Sequence, residues 1–338
     1  GLIPLLAPGK LFARAYDFRR WLQKNLPGFL AESPAADPLA GYAGPRIQAP
    51  KTIAQRWPRA EGRKLASNTA LNGIKIPAGP QPVEARGGCQ AGEKAWQRFL
   101  DGSLAGYVQE RNQPEPGVTS GLSPYLHFGH ISAHQIFWEL AEGEEWTPQH
   151  LGPETKGRRE GWWGMSASAE AFLDQIVTWR ELGYNFCQMR ADYNHYESLP
   201  DWAKATLHAH AGDKRVYRYS RDQLESTDTH DEIWNAAQRQ LRRQGVIAGY
   251  LRMLWGKKIL EWSASPEESL ENMIWLNNRY ALDGRDPNSY SGVFWCLGRY
   301  DRPFGPERPV FGKVRYMSSA NTRRKLRLKG YLKLFGQA

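Results

Sequence analysis

Two stretches of the sequence carry side chains that could bind a base or a phosphate. Gln175 and Trp179 stand four residues apart, so on an α-helix they would share a face and could clasp a flat ring. Thr119, Ser120 and Ser123 place hydroxyl groups before a predicted helix, whose free backbone N–H groups are a natural phosphate site. Each feature also occurs as a polar helix edge or an ordinary N-cap, and the spacing leaves both interpretations open.

Two further stretches could serve electron transfer or ligand binding. Trp255 and Trp262 are seven residues apart on one face of a predicted helix, which is typical of an electron relay or of a buried apolar stripe. The segment 276–295 is rich in polar and turn-forming residues. Its Asp-Gly and Asp-Pro pairs predict a tight, hydrogen-bonded loop that could hold a ligand.

Three histidines suggest a metal site, because His130 and His134 are four residues apart and His127 is close to them in the sequence. No acidic or cysteine ligand stands at a supporting spacing, so we expect no metal. The three cysteines are far apart, which is typical of neither a disulfide framework nor a zinc site, and favours a reducing compartment.

The elements that must position these residues are predicted to be helices. Residues 10–30 have helical periodicity that ends at Pro27-Gly28, and residues 31–90 are rich in proline and glycine, which predicts an extended connector with one short helix. After it, helices are predicted at 91–105, 130–141, 166–187, 200–208, 231–244, 246–262 and 266–279. Few stretches alternate with period two, so the fold class is mostly α.

The distribution of charged residues along the chain indicates what kind of molecule it binds. The net charge is +10, and the last forty residues hold eleven Lys or Arg against two acidic residues. Such clustering favours a polyanion such as nucleic acid, and the 14 tryptophans suit contacts with unstacked bases. No apolar run is long enough to span a membrane, and no secretory leader is evident, so we expect a cytoplasmic, nuclear or nucleoid protein without a membrane partner.

The order and spacing of these stretches resemble the class II photolyases of the photolyase/cryptochrome superfamily. The signatures that carry the resemblance are THD-x-x-WNAAQ at 229–238, LDGRDPN-x-Y at 282–290 and ERPVFGKVRYM at 307–317. The resemblance covers about residues 92–325. It implies that residues 1–30 are the end of an N-terminal α/β antenna domain, 31–90 a connector and 91–338 a helical FAD-binding and DNA-binding catalytic domain.

The resemblance implies a monomer that binds UV-damaged DNA, flips out a pyrimidine dimer and repairs it by light-driven electron transfer from excited FADH⁻. By similarity, the positions that contact FAD are Tyr107, Thr119, Ser120, Leu122, Ser123, Arg252, Asn277 and Asp283. The dimer pocket matches Trp179, Trp295, Met253, Gln175, Arg111 and Asn112. Trp234, Trp255 and Trp262 match the family's tryptophan chain for flavin photoreduction.

One position departs from the family. At Gln175 the family has a glutamate that hydrogen-bonds the dimer, and a glutamine keeps an acceptor but loses the charge. Slower repair or a different preferred lesion would follow. The change also keeps open a cryptochrome-like flavin photoreceptor without repair activity, and a third alternative is a DNA-binding module that has lost its flavin.

Overall fold

The computed structural model describes residues 1–31, 34–35, 37–45, 47–62, 79–115 and 117–337. In chain order the α-helices are α1 (Ala15–Leu30), α2 (Lys51–Arg56), α3 (Cys89–Gly102), α4 (Tyr107–Glu110), α5 (Ser123–His127), α6 (Ala133–Gly143), α7 (Ala167–Leu173), α8 (Arg180–Met189), α9 (Asp201–Ala209), α10 (Arg221–Ser226), α11 (Glu232–Gln244), α12 (Gly249–Trp262), α13 (Pro266–Tyr280), α14 (Pro287–Cys296), α15 (Ser319–Lys325) and α16 (Lys329–Phe335). The described part contains no β-strand, only one isolated bridge between Arg308 and Gly312. The predicted mostly α fold is confirmed.

Contacts divide the chain into two compact units, residues 1–32 with 81–338, and residues 33–80. α1 belongs to the larger unit and α2 to the smaller one. In the larger unit, Phe18, Leu22 and Leu26 of α1 lie in the same apolar core as residues of α3 and α6. The roles assigned above to 1–30, 31–90 and 91–338 stay predictions.

α1 begins and ends later than the sequence predicts. The prediction ended the helix at Pro27-Gly28, but α1 continues through Pro27 to Leu30. Leu26 and Leu30 are buried, and each contributes about 1.5 to 3 kcal/mol of burial free energy. That gain offsets the roughly 3 kcal/mol cost of a proline inside a helix.

Two apolar clusters form the core of the larger unit. The first contains a group of aromatic rings, in which Phe172 lies 4.7 Å from Phe99 and 5.7 Å from Trp96 between centroids. The second is formed largely by α11, α12, α13 and α14. The helical segment from α7 to α8 connects them, because Phe172 belongs to the first cluster and Phe186 to the second.

Most predicted helices are present within a few residues of their predicted ends, and side-chain caps account for several starts. Ser132, Asp231 and Ser265 each accept a hydrogen bond from the first turn of α6, α11 and α13. The predicted helix 166–187 corresponds to α7, a π-helical turn (Asp174–Trp179) and α8 in direct succession.

None of the described helices has the length and the apolar character needed to cross a membrane.

The polar segment 276–295 is only partly the loop that was predicted. Its first residues complete α13, a turn covers 281–286, and the rest forms α14. Asp286 caps α14 and Pro287 occupies its first position, which are standard start signals. The helix lacked an apolar stripe in the sequence because small polar residues, Ser289 and Ser291, are buried in it as well.

Candidate active site

Two tryptophans from different elements stack face to face. Trp179 ends the π-helical turn, and Trp295 lies in the last turn of α14. Their ring centroids are 4.3 Å apart and their planes are inclined by 17°. Both side chains are partly exposed, and Tyr300 meets each ring edge-on at 6.3 and 6.4 Å. Accessible aromatic faces of this kind are the surfaces on which unstacked bases bind.

Close packing of α8 on α14 supports this stacked pair. A Cβ atom at Gly183 of α8 would lie 3.0 Å from the Cα atom of Asn288 and 3.1 Å from the carbonyl oxygen of Pro287. Both neighbours are backbone atoms and cannot turn aside. The missing side chain therefore allows the two backbones to approach.

A carboxylate accepts a hydrogen bond from each indole of the pair. Nε1 of Trp179 donates to Asp174 Oδ2 at 3.1 Å, and Nε1 of Trp295 donates to Asp301 Oδ1 at 3.0 Å. Asp174 also forms a buried ion pair with Arg19 of α1 at 2.9 Å. Hydrogen bonds to charged acceptors are the stronger ones, so they fix the ring orientations. These three charged residues could not be predicted from the sequence, because no local spacing pairs them with the tryptophans.

The π-helical turn decides which side chain lies beside Trp179. An α-helix would place Gln175, at i−4, on the same face as Trp179, but the wider turn brings Asp174, at i−5, to the indole nitrogen. Gln175 is partly buried, and its side chain makes no hydrogen bond to a described residue. The amide is therefore available to a ligand, while the clasp by Gln175 and Trp179 stays a prediction.

The rings of the stacked pair leave no room for a base between them. Stacked bases are spaced by about 3.4 Å, so a base between two indoles needs about 7 Å between their planes. The centroids of Trp179 and Trp295 are only 4.3 Å apart. A ligand sandwiched by these walls therefore requires one ring to move.

Tyr107 and Arg111 lie together, next to the first core cluster. Tyr107 is buried, and its ring packs edge-on against two phenylalanine rings at 5.5 and 5.6 Å. The guanidinium carbon of Arg111 is 5.9 Å from the Tyr107 centroid. Burial raises the pKa of Tyr107, so its phenol is neutral at physiological pH. Asn112, by contrast, is exposed and its side chain has no hydrogen-bond partner in the described part of the chain.

The hydroxyl-bearing turn lies at the start of α5, as predicted. Thr119 and Ser123 are exposed, Ser120 is half-buried, and Leu122 is buried. Leu122 occupies the N-cap position, where it offers no side-chain acceptor to the first turn. The N–H of Leu122 donates to Ser120 Oγ at 3.4 Å, that of Leu126 donates to the Leu122 carbonyl oxygen, and Pro124 has none. The N–H of Ser123 and the hydroxyl groups of Thr119 and Ser123 are therefore the donors that this turn offers to an anion.

His127, the last residue of α5, connects that turn to the polar turn after α13. Its Nδ1 atom lies 3.2 Å from Asp286 Oδ2. The same carboxylate oxygen accepts from the Tyr184 hydroxyl at 3.4 Å. The structure thus brings together two segments that are about 160 residues apart in the sequence.

Three predicted flavin contacts come from α12, α13 and the turn that follows. Asp283 is buried, and its Oδ1 atom has no hydrogen-bond partner among the described residues. Asn277 and Arg252 likewise form no side-chain hydrogen bond or ion pair with a described residue. A buried oxygen without a partner costs about 1 to 3 kcal/mol, which indicates a missing polar ligand. Met253, the neighbour of Arg252, packs against the second core cluster.

The three tryptophans of the predicted relay are buried in the second cluster. The rings of Trp234 and Trp262 meet edge to face with centroids 5.4 Å apart. Trp234 Nε1 donates to the carbonyl oxygen of Trp255 at 3.0 Å, and Trp255 Nε1 donates to Gln238 Oε1 at 2.8 Å. The structure brings the three side chains together, an arrangement that suits electron hopping and ordinary core packing alike.

The basic C-terminal region lines a surface cavity of about 450 Å³. Arginine and aromatic side chains alternate around it. The guanidinium carbon of Arg315 lies 4.8 Å from the Phe304 centroid, and that of Arg308 lies 4.9 Å from the Tyr316 centroid. Such stacked arginines suit phosphates and bases.

The three histidines considered as metal ligands have separate surroundings. His130 Nδ1 accepts from the backbone N–H of Gly88 at 3.1 Å, and His134 Nδ1 is buried with no hydrogen-bond partner from a described residue. Within the residues that the structure describes, no three histidine, cysteine or acidic side chains are grouped as metal ligands would be.

Curated proteins with the name photo-lyase are similar to this chain in sequence. No protein-family model matches the chain. The chain is 42% identical over 254 residues to a deoxyribodipyrimidine photo-lyase of Oryza sativa subsp. japonica, covering 72% of this chain and 46% of that protein. It is 36% identical over 336 residues to a deoxyribodipyrimidine photo-lyase of Arabidopsis thaliana, covering 96% and 61%. The chain therefore spans about half the length of the curated relatives it matches.

Solved structures show a related fold. A bacterial class III photolyase from Agrobacterium tumefaciens superposes with a TM-score of 0.53 at 21% identity, over 73% of this chain and 44% of that one. At this identity the likeness concerns the fold alone, but it agrees with the sequence relatives. The helical fold and the extended sequence identity together place the chain in the photolyase/cryptochrome superfamily.

Proposed function

We propose that this chain is the catalytic part of a class II photolyase, which repairs cyclobutane pyrimidine dimers in DNA by light-driven electron transfer from excited FADH⁻. The names of its relatives and the motifs at 229–238, 282–290 and 307–317 support this proposal. The observation that carries the proposal is the partly exposed stack of Trp179 on Trp295. Two such rings at the surface are expected where a base is bound outside the duplex.

The polar groups that lack partners fit the binding of FAD. When bound, reduced FAD would supply the absorption of blue or near-UV light and the electron. Asp283, Asn277 and Arg252 would hold its ring system, and the buried Oδ1 atom of Asp283 would gain the hydrogen bond it lacks. The backbone N–H groups and hydroxyls of Thr119, Ser120, Leu122 and Ser123 would hold the phosphates, and Tyr107 would complete the site.

The lesion pocket would bind the dimer by stacking and hydrogen bonding. Trp179 and Trp295 offer the ring faces, and Arg111, Asn112 and Met253 would complete the walls. Gln175 can donate to a pyrimidine carbonyl through its free amide. It has no proton to give and no charge, so it orients the dimer without acid catalysis.

Two further regions have roles in the proposal. The buried tryptophans Trp234, Trp255 and Trp262 would form the path by which an electron enters the domain. The cavity lined by Arg308 and Arg315 would bind DNA phosphates, which gives affinity without reading sequence.

A repair assay tests the proposed function. The purified, photoreduced protein is irradiated with blue or near-UV light in the presence of an oligonucleotide that contains one thymine dimer, and the return of thymine absorbance is followed. Dark samples and Trp295→Ala run beside it. Trp138→Ala is the matched control, because Trp138 is also partly buried and packs against the same core cluster as Trp295, but its ring meets Phe137 and is not part of the stacked pair.

We expect light-dependent recovery in the wild type and Trp138→Ala, and much slower recovery in Trp295→Ala when the oligonucleotide concentration is near the wild-type Kd. Bound, photoreducible flavin without any recovery would contradict repair and favour the cryptochrome-like photoreceptor. Absence of bound flavin from the full chain would contradict the enzyme altogether.

A further inference from the structure

A chain of three contacts links α1 to the stacked pair. The guanidinium of Arg19 binds Asp174 Oδ1 through Nη2 at 2.9 Å and Nε at 3.1 Å. The other oxygen, Asp174 Oδ2, accepts from Trp179 Nε1 at 3.1 Å. Both charged side chains are buried. The ring orientation of Trp179 thus depends on a residue 160 positions earlier in the sequence.

We propose that Arg19 and Asp174 are positioning residues that hold Trp179 as the fixed wall of the base-binding slot, and that Trp295 is the wall that moves to admit a base. This inference rests on the proposed function, since it concerns how the same site receives a base.

One ring must move, because the slot is closed by the stack itself. The centroids lie 4.3 Å apart, whereas a base stacked on both indoles needs about 7 Å between their planes. Separation by roughly 3 Å breaks the stack, and the ring that moves must also strain or lose its indole hydrogen bond.

The carboxylates that accept hydrogen bonds from the two indoles differ in how firmly they are held. The acceptor of Trp179 has both oxygens engaged, one by an arginine and one by the indole. The acceptor of Trp295, Asp301, has one oxygen on the indole, while its Oδ2 atom is buried and has no hydrogen-bond partner in the part of the chain that the structure describes. An ion-paired carboxylate resists rotation, and a carboxylate held by one bond does not.

The backbone around the two rings differs in the same direction. Trp179 is continuous with α8 on its C-terminal side, so its main chain is held within a long helical segment. Trp295 is one residue from the end of α14. Beyond it, Gly298 and Tyr300 have positive φ angles of 109° and 68° in the turn that leads to Asp301. Helix ends and turns open more readily than helix interiors.

The test compares Arg19→Met with Arg19→Lys in the full chain. Arg20→Met is the matched control, because Arg20 lies next to Arg19 on α1 but is exposed. Three quantities are measured: bound flavin, the far-ultraviolet circular dichroism couplet of the coupled indoles, and lesion affinity with repair rate at saturating lesion. Trp179→Phe assigns the couplet to the stacked pair.

We expect Arg19→Met to weaken the couplet and raise the lesion Kd by roughly tenfold, as partial loss of one stacking face predicts. Repair at saturating lesion and flavin content stay within about twofold, because Arg19 does not touch the reacting groups. Arg19→Lys restores part of the couplet, and Arg20→Met behaves as wild type. An unchanged couplet and Kd in Arg19→Met would overturn the positioning role.

Asp174→Asn and Asp301→Asn decide which wall moves and remain informative if Arg19→Met does not fold. We expect Asp174→Asn to raise the lesion Kd, and Asp301→Asn to leave it within about threefold, because Trp295 gives up its bond on binding in any case. Equal losses of affinity would overturn the assignment of the moving wall. If the wild type binds flavin without repairing DNA, the proposed function fails. The circular dichroism couplet then still tests whether Arg19 and Asp174 fix the ring orientation of Trp179.

Discussion

The stacked pair and the buried tryptophan cluster use the same side chain in two different settings. In the pair, the rings of Trp179 and Trp295 are partly exposed and both indole N–H groups donate to carboxylates. In the cluster, Trp234, Trp255 and Trp262 are buried, and the first two donate to uncharged oxygens. Packing orients the buried rings from all sides, whereas the partly exposed rings pack on one side against the first core cluster and also depend on charged hydrogen bonds for their orientation.

This difference indicates which tryptophans stabilise the fold and which are free to bind. An enclosed ring has its whole apolar surface buried, so all of its burial free energy stabilises the fold. A partly exposed ring still has apolar surface that a ligand can bury when it binds. The residue type alone does not separate the two, but exposure and the charge of the indole partner do.

The largest contrast is expected in stability. Trp234→Ala should lower the free energy of unfolding by about 3 to 5 kcal/mol, because it leaves a large cavity in the second core cluster. Trp295→Ala should cost less than half as much, since its ring is already partly solvated. Urea denaturation of both variants checks this, and equal losses would contradict the comparison.

A buried lysine that contacts the residue after Trp295 gives a second contrast, in the pH dependence of stability. Lys257 is fully buried, and its Nζ atom donates to the carbonyl oxygen of Cys296, the residue after Trp295, at 2.6 Å. Burial lowers the pKa of Lys257 to about 8. Since this is below the unfolded value of about 10.4, the cost of burying the charge is present below pH 8 and disappears as the pH rises towards about 10.4.

The free energy of unfolding of the wild type should therefore rise relative to that of Lys257→Met across this window. The total change is on the order of 3 kcal/mol. Urea denaturation of both proteins at about pH 7 and about pH 10 measures it. Identical pH profiles would show that Lys257 keeps its ordinary titration in the folded protein.

The two tryptophan groups should also separate by function. Trp295→Ala is expected to weaken lesion binding by about 1 to 3 kcal/mol, the usual contribution of stacking on one base. Trp255→Phe should leave lesion affinity unchanged but slow photoreduction of the flavin, because phenylalanine is much harder to oxidise. Binding titrations measure the lesion affinity of the two variants, and light-driven reduction of the oxidised flavin measures their photoreduction. Loss of photoreduction in Trp295→Ala alone would reverse the assignment.

The smallest expected effect concerns the support of the stacked pair. Gly183→Ala places a Cβ atom 3.0 Å from the backbone of α14, so it should destabilise the protein by about 1 to 3 kcal/mol and weaken the indole couplet. Gly292→Ala is the control on α14 itself, because nothing lies within 4 Å of its Cβ position. Gly292→Ala should leave the free energy of unfolding unchanged or raise it by about 0.5 to 1 kcal/mol. A similar decrease of the free energy of unfolding in both variants would contradict the packing argument.

Much of the fold could be predicted because the evidence for it is local. Helical periodicity, interrupted by glycine and proline, predicted most helices of the larger unit, including α11 to α13, to within a few residues. The prediction was wrong where tertiary packing overrode a local rule, as when α1 continues through Pro27 and when buried serines hide the pattern of α14. Burial free energy decides such cases, and it is not visible in a short window.

The sequence by itself determined the helical class, the family motifs and the residue types of the site. Only the tertiary structure decided that Trp179 meets Trp295, that Asp174 replaces Gln175 as the partner of the indole, and that Arg19 reaches this carboxylate. A π-helical turn shifts the face by one residue, and an ion pair across 155 positions has no local signature. Which groups meet is set by how helices pack, and packing depends on the whole chain at once.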